Sequence, residues 1–246
     1  MNITYNSRWG LRDGLSIALA YFPVSFAFGL FAVSQGLSPW QTVLISMLNL
    51  TSAGQLASVP IFLGSASFVE MAMTQLLINM RYALTSITLS QKLDDSVHFH
   101  DRFAIAFVNT DEVFAVCAEK DGMLGRKYLY PLIVPPYLGW ALGTAAGAYL
   151  GALLPISIVT ILGFAIYGMF FSILLPAAKK NRAVLYAELV AAAISCILYF
   201  VPIFSFITSG FGVIISATLA SAILAFFLPY SPPEILNPSK EGEANE

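Results

Sequence analysis

Charge is what this chain has least of. Asp, Glu, Lys and Arg make up 11% of its 246 residues, against 58% hydrophobic ones, whereas an ordinary soluble domain is roughly a quarter charged. That balance excludes a soluble globular protein, and no nucleic-acid partner is expected. Cysteine and histidine are equally scarce, at two each. Cys117 and Cys196 both fall inside predicted helices, so neither a disulfide framework nor a metal cluster is indicated. His98 and His100 flank Phe99 in a charged loop and read as solvated side chains. No histidine cluster, serine elbow or metal-ligand spacing occurs at mid-span, which argues against a membrane-embedded enzyme, and no cofactor is expected.

What is there is a series of long apolar runs separated by charge clusters at Arg8 and Arg12, Lys92 to Arg102, Glu119 to Lys127, Lys179 to Arg182 and after Pro229. A bilayer core about 30 Å thick takes about 20 residues of helix. That ruler predicts an all-α polytopic membrane protein with eight transmembrane helices, near 14–35, 40–63, 67–92, 102–120, 130–152, 155–176, 184–202 and 205–228. Residues 1–13 form a cytoplasmic N-terminal segment, 14–228 one transmembrane domain, and the proline- and acid-rich 229–246 a disordered cytoplasmic tail. The first run ends in Ala32-Val33-Ser34, which could pass for a signal cleavage site, but its length and Pro23 favour a span. Lysine and arginine collect on the cytoplasmic side. With the N-terminus inside, the inner segments hold most of them and the outer loops only Lys92 and Arg102, so both termini face the cytoplasm of a multi-pass inner (plasma) membrane protein. A re-entrant hairpin over 40–63 would flip every later loop and is set aside on that ground. A weak echo pairs Phe26-Ala27-Phe28-Gly29 with Trp140-Ala141-Leu142-Gly143, an internal repeat that gives the first and fifth helices the same orientation.

Against this apolar background, Asn109-Thr110-Asp111-Glu112 stand in a row at the centre of the fourth run. An aspartate at a helix centre costs about 2.5–3.5 kcal/mol on the insertion scale, so its presence signals function. Two neighbouring spans carry polar groups at similar depth. The second reads Asn49-Leu50-Thr51-Ser52-Ala53-Gly54-Gln55, a run that fits an unwound or broken helix whose bared backbone could hold a zwitterion or an ion; a small-residue helix contact is the alternative. On a helical wheel the third span has a wet half with Glu70, Gln75, Asn79, Arg81 and Tyr82, and a greasy half with Met73, Leu76, Met80, Leu84 and Ile87. Arg81 lies too deep to snorkel and can pair with Asp111 or Glu112, as a structural clamp or as part of a site.

The order and spacing of several short motifs resemble one family. Pro23-x-x-Phe26-x-Phe28-Gly29 with Gly36-Leu37-Ser38, Ser52-Ala53-Gly54-Gln55, Asn79-x-Arg81-x-x-Leu84, Thr110-Asp111-Glu112-x-x-Ala115 and Trp140-x-x-Gly143-Thr144-x-x-Gly147 look like the AzlC-type branched-chain amino acid permeases, over Gly10 to Leu228. Thr51 before the second motif and Tyr82 after Arg81 depart from the residues usual in relatives. The resemblance implies the large subunit of an exporter that works with a small AzlD-type membrane subunit, moves leucine, isoleucine or valine and draws on the proton gradient. On that reading the substrate site is Asn49, Ser52, Gly54, Gln55, Asn79, Arg81 and Asp111. Arg81 or the amides around Gly54 take the carboxylate, the others hold the ammonium or orient the site, and Asp111 or Glu112 carries the coupled proton. The rival reading is a non-transporting scaffold or sensor with a structural ion pair at mid-membrane.

Overall fold

The computed structural model describes residues 5–64, 67–155 and 181–227, with scattered positions between 157 and 179. Among them the regular elements are all helices, apart from an isolated bridge between Leu93 and Leu124, with two compact units, one drawn from residues 1–173 and 208–211 and the other from 174–207 and 212–246. The first unit contains α1 (Ser7–Ser34), α2 (Pro39–Leu48), α3 (Ser52–Phe62), α4 (Phe68–Ser90), α5 (Phe99–Phe107), α6 (Asp111–Glu119) and α7 (Arg126–Leu150). The second holds α8 (Arg182–Phe200) and most of α9 (Ser209–Phe227). Helices α1, α8 and residues Gly210–Phe227 of α9 are long and apolar enough to cross a membrane by length and composition. The predicted sixth span, 155–176, and the tail 229–246 lie outside the described residues, apart from scattered positions.

The first unit is built on α1 and α7, which run parallel and in contact along their lengths: Gly10 meets Tyr128, Gly139 meets Ala18, and Gly147 meets Phe26. Water supplies no hydrophobic drive between helices in lipid, so close backbone approach and van der Waals packing must hold such a pair. A Cβ on Gly147 would run into the Phe26 carbonyl and lie 3.1 Å from the Leu30 nitrogen, so this contact admits only glycine. Trp140 of α7 meets the Tyr21 ring of α1 edge-on, with centroids 5.1 Å apart.

Between α1 and α7 in sequence, two predicted spans are hairpins. The run 40–63 is two helices, α2 and α3, and α3 returns to where α2 began. Gln55 of α3 donates to the Ser46 hydroxyl of α2 at 2.8 Å, Ile45 and Val59 share one apolar cluster with Phe28, Ala32 and Leu37, and the Leu63 side chain comes up against Gly36. The run 102–120 repeats this from the opposite end of α1. Asn109 stands level with Thr85 and Ser86 of α4, Asp111 lies at Arg81, and α6 then descends to place Lys120 on Asp13 at 2.8 Å. The break in 40–63 falls within the run where the sequence fits an unwound or broken helix, whereas the reading of 102–120 as one continuous helix is corrected. The physical reason is that each run is cut by three residues, two of which, Asn49 and Thr51 in the first and Asn109 and Thr110 in the second, are types that favour caps and turns over helix interiors.

The base of each hairpin is set by its first turn. At the start of α2 the Gln41 side-chain oxygen Oε1 accepts from the Ser38 backbone N–H at 3.0 Å. At the start of α5 the Asp101 carboxylate accepts from the His98 N–H at 2.8 Å. Both are the N3-to-cap bond of a capping box. The second hairpin is additionally pinned by charge. Lys92 donates to the carbonyls of Cys117, Ala118 and Lys120 at 3.1, 2.7 and 2.6 Å, the favourable placement of a cation at a helix C-terminus. The fully buried Asp101 carboxylate receives the Tyr130 hydroxyl at 2.7 Å and lies 3.3 Å from Arg126. The Tyr130 bond, helped by His98 and Arg126, holds its pKa below the usual carboxylate value against the opposing effect of burial. Hairpin followed by long helix therefore occurs twice, over 39–90 and 99–150, with Gln41 and Asp101, and Asn49 and Asn109, each sixty residues apart. This correspondence differs from the echo between Phe26 and Trp140.

The close contact of α1 and α7 generates a stability prediction. Overpacking a tight contact costs about 1–3 kcal/mol, so Gly147→Ala should lower the unfolding temperature in detergent by several degrees. Gly212→Ala, where an added Cβ meets nothing within 4 Å, should leave it unchanged or slightly raised. Equal unfolding temperatures for Gly147→Ala and the parent protein would contradict this account of the helix pair.

Candidate functional site

A helix that stops inside an apolar protein leaves carbonyls at one end and amides at the next start without intrahelical partners. Polar side chains at the two hairpin tips take up that demand. In the first tip Asn49 and Thr51 are extended, at φ −142°, ψ 103° and φ −114°, ψ 119°. The Asn49 side-chain oxygen accepts from the Thr51 N–H at 3.2 Å, and the Thr51 hydroxyl from the Gly54 N–H at 3.1 Å. In the second tip the Thr110 hydroxyl accepts from the Val113 N–H at 3.4 Å. Asp111 and Glu112 occupy the first turn of α6, where the positive end of the helix dipole favours carboxylates. The run Asn109-Thr110-Asp111-Glu112 is thus a helix start, not the middle of a helix. The first turn of α3 carries no acid.

Helix α4 ties both tips together. Its Gln75 accepts from Asn49 at 3.2 Å and from Asn79 at 3.1 Å, and donates to the Gly54 carbonyl at 2.7 Å. One and two turns on, Arg81 pairs with Asp111 at 2.7 Å, donates to the Tyr82 hydroxyl at 3.0 Å and lies 4.8 Å from the centre of that ring. Arg81 and Asp111 side chains are 54% and 47% exposed, so the pair lies open and accessible. Below it, Asn109 donates to Ser86 at 3.0 Å. From α1, Tyr21 bonds both Glu112 and the Thr110 hydroxyl at 2.6 Å. A phenol has one proton, so Tyr21 donates to the carboxylate and accepts from Thr110. A cleft lies where the tips approach, lined by Asn49, Leu50 and Thr51 on one side, Asn109 and Thr110 on the other, and Tyr82 between. From α7, Tyr137 donates to the Met47 carbonyl at 3.3 Å and stacks obliquely on Phe107 at 6.1 Å.

The residues expected from the sequence fall into three groups. Asn49 lines the cleft, and Asn79, Arg81 and Asp111 lie on or beside the same α4 network. Gln55 does not face the cleft: it is fully buried and braces the hairpin through Ser46 and the Asn49 carbonyl at 2.7 Å. Gly54 serves by its smallness, since a Cβ there would come 2.6 Å from the Gln75 side-chain oxygen. Ser52 opens α3, and Glu112 is turned to Tyr21 while remaining exposed. Residues that sequence reasoning did not select are Tyr21, Gln75, Tyr82, Asn109 and Thr110. Gln75 and Tyr82 were on the wet half of the wheel and Asn109-Thr110 in the polar run; nothing in the sequence around Tyr21 signals its reach of 89 residues to Thr110.

Comparison with known proteins adds identity. The family model described as AzlC protein matches residues 16–154, which contain both hairpins, α4, α7 and most of α1. The inner membrane protein YgaZ of Escherichia coli is 28% identical over 203 residues, 79% of this chain and 82% of that protein. An uncharacterized membrane protein of Archaeoglobus fulgidus is 30% identical over 177 residues, 71% of this chain and 77% of its own length. No solved structure matches the chain. With its motifs and both hairpins falling inside the matched region, the chain belongs to the AzlC family, whose members are membrane transport proteins and not enzymes.

Proposed function

We propose that this protein is the large subunit of a proton-coupled secondary transporter that exports branched-chain amino acids together with a small AzlD-type membrane subunit. The observation that carries the reading is the meeting of two helical hairpins, from opposite ends of α1, at a cleft beside the Arg81–Asp111 pair. Such a place offers an amino acid everything its head group needs. The α3 amide end and Arg81 suit a carboxylate. The C-terminal carbonyls of α2 and α5, with Asn49, Asn79 and Asp111, suit an ammonium. Leu48, Leu50 and Phe107 give an aliphatic side chain an apolar wall. Ser52 and Gly54 shape the amide end, Gln55 holds the hairpin that presents it, and Asp111 or Glu112 is the proton carrier. Alternating exposure to the two sides follows if the hairpins act as gates.

In a bilayer these hairpins are re-entrant, and broken backbone is tolerated there because it lines a cavity within protein. One hairpin alone would invert the later loops, but the second restores them. Six crossings remain, at α1, α4, α7, 155–176, α8 and α9, with 1–13 and 229–246 both cytoplasmic. Lys92 and Arg102 then move to the inner side, and Arg81 alone of the twelve Lys and Arg residues lies in the membrane. This distribution follows the positive-inside rule more closely than eight crossings do. A scaffold or sensor is the second reading, favoured by the fact that Arg81 and Asp111 already satisfy each other at 2.7 Å.

Two measurements test the proposal. In vesicles holding this chain and its small partner, Arg81→Ala and Asp111→Asn should each slow counterflow of labelled leucine roughly tenfold or more, the scale of one charge-assisted hydrogen bond. Undiminished exchange in both would remove these residues from the site, and full function in the Arg81→Met, Asp111→Leu double variant would favour the scaffold. For topology, Asp95→Cys in a background lacking Cys117 and Cys196 should react with an impermeant thiol reagent from the cytoplasmic side only. Reaction from the outer side would restore the single-crossing arrangement.

A further inference from the structure

This inference deepens the transport reading and rests on it. The cleft between the tips is not isolated. A second cleft runs in the groove between α4 and α5, from the tips towards the end of the unit that carries Lys92 and Lys120, past Ser86, Ser90 and Leu93 to Arg102. Ala106 and Asn109 line both clefts. Asn109 is 4% exposed, and its amide is anchored on one end by Ser86 and, at 3.4 Å, Thr85. Its other end, Oδ1, has no hydrogen-bond partner among the described residues. The Thr85 hydroxyl donates its own proton to the Tyr82 carbonyl at 3.2 Å and so accepts here, which puts the amide NH2 towards Thr85 and Ser86 and leaves Oδ1 as the unpartnered end. An unpartnered buried polar atom is unfavourable at rest and gains from any group of matching polarity presented to it.

We propose that Asn109 is the neck of the translocation route: its free amide oxygen takes the ammonium of the passing amino acid, and the α4–α5 groove is the passage between the tip cleft and the cytoplasmic side. Arg102 stands at the mouth of that passage, where its guanidinium offers the carboxylate a first contact. Leu89, Leu93, Ile105 and Ala106 give the groove a mostly apolar lining that suits an aliphatic side chain, with the Ser86 and Ser90 hydroxyls along α4, whereas Leu84 on the apolar side of the same helix is 69% exposed.

The test uses the full chain with its small partner in membrane vesicles, with Cys117 and Cys196 replaced. Ser90→Cys should react from the cytoplasmic side with an impermeant methanethiosulfonate roughly tenfold or more faster than Leu84→Cys, because the reactive thiolate forms in water and not in lipid. Asn109→Leu should abolish leucine counterflow while leaving the Ser90→Cys labelling rate unchanged, which also shows that the variant is folded. Ser90→Cys no more reactive than Leu84→Cys would overturn the passage, and undiminished counterflow in Asn109→Leu would overturn the neck. Absence of counterflow in the unsubstituted protein would instead sink the transport reading, with the labelling rates still deciding whether the groove holds water.

Discussion

Every backbone amide and carbonyl placed at membrane depth must find a hydrogen-bond partner inside the protein. The two hairpins are the places where this chain meets that constraint without a continuous helix. Asn49, Thr51 and Thr110 close the tips with side-chain bonds to the neighbouring amides. Gln75 reaches from α4 to the Gly54 carbonyl, and Gln55 to the Asn49 carbonyl. Backbone that a helix would have consumed is thereby kept polar and near a cleft. A transport site needs that: fixed dipoles at mid-depth, held before the substrate arrives.

The rest of the unit serves to keep the tips in place. The contact of α1 with α7 gives a rigid pair against which both hairpins lean, through Tyr21 to Thr110 and Glu112, and through Thr144 to Ser46 at 2.6 Å. The hairpins are not held alike. Lys92, Lys120, Asp101 and Arg126 fasten the base of the second with charge. The base of the first is fastened by the Ser38–Gln41 capping bonds and by the apolar cluster of Leu37, Ile45 and Val59.

Composition made the membrane class and the positions of most helices legible, because apolar length is a local property of the sequence. The polar run 109–112, the wet half of α4 and the pairing of Arg81 with one of the two acids were legible for a related reason: charge in an apolar run is conspicuous and helical periodicity places it. The break in 40–63 was legible too, in its polar run; the turning back of both runs was not. A run of some twenty apolar residues reads the same whether it crosses or turns back, and the argument from loop charges assumed one exception at most. The signal was present in capping chemistry: Thr51 and Thr110 sit where a helix N-terminus wants a hydroxyl, with Asp111 and Glu112 in the turn that follows. The contact of Tyr21 with the second tip depends on the parallel register of α1 and α7, which no local pattern encodes.

The central claim is that each hairpin turns back to the side from which it started. Electron–electron resonance distances between spin labels at Gln35 and Leu63, in the protein reconstituted in lipid, test it most directly. The two sites flank the first hairpin, and the account predicts a distance well short of the hydrocarbon thickness of about 30 Å. A distance near that thickness would mean that residues 39–62 cross the membrane, and would contradict the account.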